Sequence, residues 1–137
     1  MHLAINNLKR GKAGSSDELI NEYFIETRDI LAGHIVDLFN LIFSSGHFPT
    51  SWMEGVIVPV FKKGDDSMTT NYRGITLVSC LAKIYSSIIN RRLTSSCDRH
   101  NKISDAQFGF RKGFSTTDAI FSLKTLIDNM LNNGKRL

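Results

Sequence analysis

The chain has few of the cysteines and histidines that stabilise small folds through disulfides or bound metal ions. Its 137 residues include two cysteines, Cys80 and Cys97, which lie 17 positions apart and belong to no Cys-x-x-Cys pair. A disulfide framework and a zinc knuckle are therefore not expected. The four histidines are scattered and lack metal-ligand spacing, so a histidine metal site is not expected either.

Long apolar runs are also missing. The longest, Val56–Phe61, is far shorter than the ~20 residues that span a bilayer. Asn and Lys interrupt the apolar residues near the N-terminus before a signal-peptide core could form. We therefore expect an intracellular protein, nuclear or cytoplasmic, that is not secreted and has no transmembrane segment.

Charge is divided unevenly along the chain. Up to Glu54 there are 4 basic and 7 acidic residues, and beyond it 13 basic and 6 acidic, so the two parts carry −3 and +7 and sum to the net +4. A positive field concentrated in one part is typical of proteins that contact phosphates. With 42% hydrophobic residues, the chain can form one small domain with a core.

Hydrophobic spacing divides this α+β domain into four regions. Residues 1–16 form a flexible basic segment, and residues 17–54 an acidic helical region with a helix from Asp17 to Ser45 that breaks near Gly33. Residues 55–78 form a short antiparallel hairpin, in which Val56–Phe61 is a buried strand and residues 71–77 are its partner. Residues 79–137 form a helical region with one loop.

Local signals set the ends of the last two helices. Ser79 is a candidate N-cap for a helix with one apolar stripe, from Leu81 to Leu93. Residues 101–113 form a glycine- and charge-rich connection. Ser115 and Asp118 have the spacing of a capping box, and residues 132–134 end the helix that follows.

Two lysines and an arginine flank the hairpin turn. Lys62 and Lys63 lie on a tight turn where their ammonium groups can reach a triphosphate, although a solvated turn has the same composition. Arg73 can add a bidentate phosphate contact or form a cross-strand ion pair with Asp65 or Asp66. Asp65 and Asp66 alone do not indicate a metal site, because a two-metal site needs carboxylates from separate elements.

A second basic segment, around Arg111 and Lys112, carries aromatic residues. It lacks the Gly-Lys-Ser/Thr sequence that ends a P-loop, so it does not predict that phosphate-binding motif. Phe108, Phe110 and Phe114 alternate with Arg111 and Lys112. This composition suits stacking and backbone contacts with nucleic acid, or else the phenylalanines anchor the core, which is the commoner case.

The order of these motifs closely resembles the reverse transcriptase, an RNA-directed DNA polymerase, of LINE-type, non-LTR retrotransposons. The resemblance covers residues 3–131. Upstream, Leu8-Lys9-x-Gly11-Lys12-Ala13 and Asn21-Glu22 fit the family, as does Leu38-Phe39-Asn40. The main blocks are Phe48-Pro49-x-x-Trp52, Pro59-x-x-Lys62-Lys63-Gly64-Asp65, Asn71-Tyr72-Arg73, Asn90-Arg91-Arg92-Leu93 and Gln107-Phe108-Gly109-Phe110-Arg111.

The resemblance implies a helix-rich fingers portion of a right-hand polymerase, with an incomplete palm. In that family the lysine and arginine of the hairpin blocks contact the phosphates of the incoming nucleotide, and here these are Lys62 or Lys63, and Arg73. Gln107 and Arg111 occupy the positions of a template or primer contact. The intact family enzyme uses Mg²⁺ and a deoxynucleoside triphosphate (dNTP), with an RNA template and a DNA primer as partners.

Three features depart from the family pattern. Gly14 and Gly74 stand where the family has proline, so both backbone segments are expected to be less rigid. The aspartates of the Phe-x-x-Asp and Tyr-x-Asp-Asp blocks do not occur before Leu137. No catalytic or metal-binding residue is therefore assigned, and the chain alone is expected to be inactive. A non-catalytic nucleic-acid-binding module and a truncated gene product without a selected role remain the alternatives.

Overall fold

The computed structural model describes residues 1–134. The chain folds as two compact units, Met1–Leu93 and Thr94–Leu137, the second described as far as Gly134. The described residues form five α-helices and one two-stranded antiparallel sheet, which confirms the α+β class. Among residues 1–134, no helix combines the length and the apolar character that crossing a membrane requires.

The first unit buries one apolar cluster. Its helices are α1 (His2–Asn6), α2 (Asn21–Glu26), α3 (Arg28–Ser45) and the first part of α4 (Cys80–Arg99). The cluster draws residues from all four helices and from a short 3-10 turn, Thr50–Trp52. Its buried members are Ala4, Ile5, Phe24, Ile35, Phe39, Ile42, Trp52, Cys80, Ala82 and Ile84. Residues 1–16 therefore include a helix with a fully buried side chain, Ile5, where a flexible segment was predicted.

The long acidic helix breaks at a different residue from the one predicted. Helix α2 begins at Asn21 rather than Asp17, and the interruption is at Thr27, not at Gly33. The Thr27 hydroxyl donates to the Tyr23 carbonyl at 2.6 Å, and its own carbonyl accepts the Leu31 N–H of the next helix. Gly33 stays helical because its penalty of about 1 kcal/mol is small beside the burial of its neighbours. Helix α3 ends at Ser45, as predicted, and Gly46 follows it in the left-handed conformation.

An aromatic cluster explains the Phe48-Pro49-x-x-Trp52 block. The ring of Trp52 lies 6.0 Å from that of Phe39 and 5.4 Å from that of Phe48, and Phe39 lies 5.1 Å from Tyr85 of α4. These centroid distances are those of edge-to-face and tilted pairs, which stabilise a core beyond the area that they bury. The block therefore ties the segment after α3 to α4.

The hairpin consists of β1 (Val56–Phe61) and β2 (Tyr72–Leu77), with Val56 opposite Leu77 and Phe61 opposite Tyr72. The bounds of β1 match the prediction and β2 begins one residue later than predicted, at Tyr72, but the expected burial of β1 is wrong. Every residue of β1 is exposed, from 38% for Val58 to 69% for Ile57. A run of β-branched residues predicts a strand, but it does not show whether another element packs against that strand. No element of the described chain covers either face of β1.

The second unit contains the end of α4, an irregular loop and α5 (Thr116–Asn132). The capping box of Ser115 and Asp118 is confirmed, and α5 ends at Asn132 as predicted. Ser79 lies just before α4, but its buried hydroxyl has no hydrogen-bond partner among residues 1–134, so the predicted side-chain cap is wrong. The predicted helical region extends to residue 137, and its last three residues lie outside the described part of the chain.

Candidate functional site

Strand register brings two of the predicted phosphate contacts to one face of the hairpin. Arg73 lies opposite Val60, and the Lys62 N–H donates to the Asn71 carbonyl at 2.8 Å, which extends the ladder by one residue pair. Side chains on one face of a strand recur every second residue. Lys62 and Arg73 therefore project from the same face as diagonal neighbours, roughly 7–8 Å apart at their backbones. Lys63 follows directly, outside the ladder.

The connection between the strands is longer than the tight turn predicted. It spans residues 62–71 and ends in a 3-10 turn, Thr69–Asn71. Gly64 adopts φ +98°, a conformation that favours glycine. The Asn71 amide donates to the Asp65 carbonyl at 2.8 Å, and the Tyr72 hydroxyl donates to the Asp66 carbonyl at 2.9 Å. The first two residues of the Asn-Tyr-Arg block therefore hold the loop that carries the lysines.

The Asp65 carboxylate accepts hydrogen bonds from within this loop. Its carboxylate accepts the Ser67 N–H at 2.9 Å and the Ser67 hydroxyl at 2.7 Å. These two bonds favour the ionised carboxylate and hold the pKa of Asp65 below its usual value. The Asp65 side chain therefore stabilises the turn between residues 65 and 67.

The three cations of the hairpin are left unpaired. None of the ion pairs formed by residues 1–134 includes Lys62, Lys63 or Arg73, and all three residues are exposed. The alternative in which Arg73 pairs with Asp65 or Asp66 is therefore wrong. A flexible pair of ammonium groups beside a guanidinium is suited to binding several phosphate oxygens.

Residues of the hairpin do not fit a magnesium ion. A two-metal site needs carboxylates that converge from separate elements, whereas Asp65 and Asp66 are adjacent on one loop and Oδ1 of Asp65 already accepts two bonds from Ser67. In the described part of the chain, no three His, Cys, Asp or Glu residues converge in a group that could hold a metal. No step of the chemistry is therefore assigned to a metal held here.

Polar contacts hold the N-terminal loop against the root of the hairpin. The Ser15 hydroxyl donates to the carbonyl of Leu77, the last residue of β2, at 3.0 Å. The amide of buried Asn21 donates to the Lys9 carbonyl at 2.7 Å, and its oxygen accepts from the thiol of Cys80 at 3.1 Å. Sequence analysis missed the contacts of Ser15 with Leu77 and of Cys80 with Asn21, because nothing in the spacing pairs residues 62 or 59 positions apart.

The Glu22 carboxylate also holds the N-terminal loop in place. Glu22 accepts the Gly11 N–H, and that bond is the main reason why the pKa of Glu22 is lowered. Gly11 itself has φ +67°, so the loop turns sharply at this point. Residues 9–16 form no helix or strand, yet several of their backbone groups have fixed partners.

The second predicted site lies in the loop of the second unit. Arg111 donates to the Ser104 carbonyl at 3.0 Å, lies 3.8 Å from the Asp105 carboxylate and stacks 4.2 Å from the centroid of the Phe114 ring. Its side chain is 20% exposed. Gln107 donates to the Gly109 carbonyl within the same loop. The structure thus brings Gln107 and Arg111 into one loop, where Arg111 also orders the backbone.

The three phenylalanines of this loop have different environments. Phe108 and Phe114 form an edge-to-face pair with centroids 5.7 Å apart. Phe110 is fully exposed and has φ +60°, so its predicted role as a core anchor is wrong. A bulky residue in this backbone conformation is uncommon and costs energy. The stacking alternative therefore fits Phe110 better.

Comparisons with known proteins agree with the resemblance found in the motifs. No protein-family model matches the chain. The probable RNA-directed DNA polymerase from transposon BS of Drosophila melanogaster is 30% identical over 123 residues, which cover 88% of this chain and 13% of that protein. The RNA-directed DNA polymerase from mobile element jockey of the same species is 29% identical over 117 residues, which cover 85% and 13%.

A third relative extends the agreement. The probable RNA-directed DNA polymerase from transposon X-element of Drosophila melanogaster is 30% identical over 88 residues, which cover 64% of this chain and 10% of that protein. The predicted resemblance is confirmed: the chain is related to the reverse transcriptases of LINE-type retrotransposons. It spans about an eighth of the length of the relatives that it matches.

Proposed function

We propose that this chain is the fingers segment of a retrotransposon reverse transcriptase and that its hairpin binds the triphosphate of the incoming dNTP. The observation that carries the proposal is a set of three cations that form no ion pair among residues 1–134: Lys62 and Lys63 at the start of the loop, and Arg73 on β2. The Asp65 carboxylate of the same loop is engaged by Ser67. Asn71 and Tyr72 order that loop before any ligand arrives, which lowers the entropy cost of binding.

Lys62 and Arg73 have complementary roles in this proposal. A guanidinium binds two phosphate oxygens at once and fixes their orientation, whereas an ammonium is a point charge on a flexible stem. Arg73, on the strand, therefore orients the triphosphate, and Lys62 and Lys63, at the loop, neutralise its charge. Gln107 and Arg111 of the second unit contact the RNA template or the DNA primer, and Arg111 does so from a loop that it also orders.

Equilibrium binding of a dNTP to purified variants tests the hairpin assignment. Arg73→Ala is expected to weaken the affinity about tenfold, because a hydrogen bond to a charged group is lost. Arg91→Ala is the matched control, since Arg91 is an exposed arginine on α4 and forms no ion pair among residues 1–134. Equal affinity in the Arg73→Ala and Arg91→Ala variants would overturn the proposal.

The chain alone is not expected to polymerise. Phosphoryl transfer depends on metal ions held by convergent carboxylates, and residues 1–137 contain neither aspartate block of the family. A primer-extension reaction with an RNA template, dNTPs and Mg²⁺ tests this expectation. Incorporation above background by the pure protein would contradict it.

A second candidate function is binding of single-stranded nucleic acid without catalysis. It is favoured by the +7 charge beyond Glu54 and by the fully exposed Phe110. Such binding weakens with salt, with a log–log slope of roughly −0.7 per phosphate contact. Binding of a labelled RNA oligomer at several salt concentrations measures this slope, and a flat response would remove the candidate.

A further inference from the structure

The two outer edges of the hairpin differ in whether another strand can pair with them. In an antiparallel strand the backbone N–H and C=O of a residue point to one side, and the side alternates from residue to residue. The Lys62 N–H donates to the carbonyl of Asn71, its register partner, so every second pair from there toward the root is bonded across the ladder. The residues in between therefore direct their N–H and C=O groups to the outer edges.

The outer edge of β1 is closed by a proline. Its outward residues are Ile57, Pro59 and Phe61, and Pro59, in the middle, has no N–H to donate. Proline on an edge strand is one of the devices that prevent pairing with another chain. A further strand therefore finds no continuous row of donors along β1.

The outer edge of β2 is open. Its outward residues are Tyr72, Gly74 and Thr76, and Gly74 stands at the centre, where the related family has proline. The Tyr72 N–H already donates to the Thr69 carbonyl. Gly74 and Thr76 are exposed and form no backbone hydrogen bond outside the hairpin among residues 1–134. The N–H and C=O groups of these two residues are thus available to a partner.

We propose that the open edge of β2 pairs antiparallel with the same edge of a second copy of this chain, with Ile75 at the two-fold axis. In this register Gly74 of each copy lies opposite Thr76 of the other, and both pairs are hydrogen-bonded. The free groups of the edge thereby satisfy one another. A two-fold dimer is also the commonest assembly of identical chains. Pairing of this kind requires no nucleotide, so it stands apart from the proposed function.

The side chains of β2 agree with this register. Ile75 is 45% exposed, and it meets Ile75 of the other copy in a non-hydrogen-bonded pair, in which side chains approach most closely. Arg73 lies opposite Leu77 of the other copy. The two Arg73 residues are then four positions apart along the strands, roughly 13 Å, so no like charges face each other.

Pairing stops at two copies. The four-stranded sheet of the dimer ends on both sides in β1, whose outer edge is closed by Pro59. The interface is small, because it consists of one short strand from each copy, and small interfaces are weak and transient. We therefore expect a reversible dimer with a dissociation constant on the order of 100 μM rather than a fibril.

Gly74→Pro tests the open edge. It removes the outward N–H of Gly74 and no ladder bond, whereas the matched control, Gly74→Ala, keeps that N–H and places the same Cβ 3.1 Å from Ile57 Cγ2. Sedimentation equilibrium is expected to show a dissociation constant at least about tenfold higher for Gly74→Pro, because two of the four bonds are lost, and little change for Gly74→Ala. Exchange protection of the Ile75 N–H in both variants verifies the hairpin. Equal dimerisation of the two variants would overturn the proposal.

Cysteine cross-linking tests the register. Ile75→Cys places two thiols opposite each other with Cα atoms about 4.5 Å apart, a distance that a disulfide spans. Ile57→Cys on β1 is the matched control, because Ile57 is 69% exposed and random collisions would favour it. Both variants carry Cys97→Ser, which removes the partly exposed free thiol. We expect the Ile75→Cys variant to form the covalent dimer at least about fivefold faster. An equal or faster rate for Ile57→Cys would contradict the pairing.

Amide exchange separates a second copy from other occupants of the edge. The Thr76 N–H is expected to exchange more slowly as the protein concentration rises from 10 μM to about 1 mM, because the dimer becomes populated. A threonine octapeptide serves as an unrelated extended chain and should not replace this effect. Suppose the chain stays monomeric at 1 mM while the octapeptide slows exchange of the Thr76 N–H. The edge would then belong to a strand of another protein, and the pairing of copies would be refuted.

Discussion

At the scale of single residues, the hairpin depends on side chains that order the loop as much as on those that carry charge. Asn71 and Tyr72 each bond a loop carbonyl, and Ser67 engages the Asp65 carboxylate. Within residues 1–134, Lys62, Lys63 and Arg73 form no ion pair. The sequence placed Asn71 and Tyr72 beside Arg73, but it did not show that they act on the loop, because the length of the connection determines which carbonyls they reach.

Gly64→Ala should weaken dNTP binding about fivefold. A Cβ at this position would lie 2.8 Å from the Asn71 amide nitrogen, and φ +98° strains any other residue. Gly113→Ala is the matched control, because Gly113 has φ +85° but nothing lies within 4 Å of the added Cβ. Equilibrium binding of dNTP compares the two variants. A similar loss in both would show that the effect is not specific to the hairpin loop and would contradict the role given to Asn71.

Ser67→Ala should raise the pKa of Asp65 toward its usual value. The two bonds from Ser67 lower this pKa in the folded protein, and the hydroxyl bond is the larger cause. A lowered folded-state pKa means that the contribution to stability is present above the ordinary carboxyl pKa of about 4 and is lost as pH falls through the folded-state pKa. NMR titration of the Asp65 carboxyl measures the change.

Asp29 serves as the internal control in the same titration. Its pKa is lowered by Arg28, which the substitution at Ser67 does not touch. The titration of Asp29 should therefore be the same in both proteins. If the pKa of Asp65 is also unchanged in the Ser67→Ala variant, the hydroxyl does not hold the turn.

At the scale of elements, the ladder explains how a proline and a glycine coexist in the hairpin. The Lys62–Asn71 pair is hydrogen-bonded, and such pairs alternate along an antiparallel ladder. Pro59 and Gly74 face each other three pairs further on, at a non-hydrogen-bonded position. Pro59 therefore removes no ladder bond. A proline at position 74, where the related family has one, would also remove no ladder hydrogen bond.

Gly74→Pro should preserve the hairpin ladder once the Ile57 side chain, whose Cγ2 would lie 3.1 Å from the added Cβ, shifts by a few tenths of an ångström, whereas Ile75→Pro should disrupt the ladder. Ile75 lies opposite Val58 at a hydrogen-bonded position, so a proline there removes a ladder bond. Amide hydrogen exchange of β1 and β2 reports the difference. We also expect Gly74→Pro to tighten dNTP binding by about two- to fivefold, because it stiffens the backbone beside Arg73. Loss of the ladder in the Gly74→Pro variant would contradict this register.

Element boundaries were largely predictable, and burial was not. The strands, the end of α3 at Ser45 and the capping box of α5 followed from local chemistry. The break at Thr27 did not follow from local chemistry, since it depends on the burial of α3 against other helices. The exposure of β1 and of Phe110 was also missed, because a sequence pattern marks a residue as apolar without showing whether another element covers it.

At the scale of the whole molecule, much apolar surface has no cover among residues 1–134. On α5, five large apolar residues are between 58% and 69% exposed: Ile120, Phe121, Leu123, Leu126 and Leu131. The chain spans about an eighth of the length of its curated relatives. An exposed apolar face of this extent marks an interaction surface or an aggregation liability.

Substituting Leu123 and Leu126 together with glutamine should reduce this liability. Both side chains are largely exposed, at 62% and 58%, so their removal costs little stability. We expect weaker fluorescence of the apolar dye ANS and less self-association, with an unchanged Tm. Lys124→Gln on the same helix is the control and should alter neither. Undiminished ANS fluorescence in the double variant would show that α5 is not the exposed face.

The most direct test of the central claim is an NMR titration of the isotope-labelled chain with dNTP at low salt. The account predicts that the shifted amides lie in residues 60–75, centred on Lys62, Lys63 and Arg73, and that Arg73→Ala needs about tenfold more dNTP to reach the same shifts, whereas Arg91→Ala titrates like the unsubstituted chain. Shifts distributed over both units without regard to the hairpin, or no shifts at saturating dNTP, would contradict a nucleotide site on the hairpin.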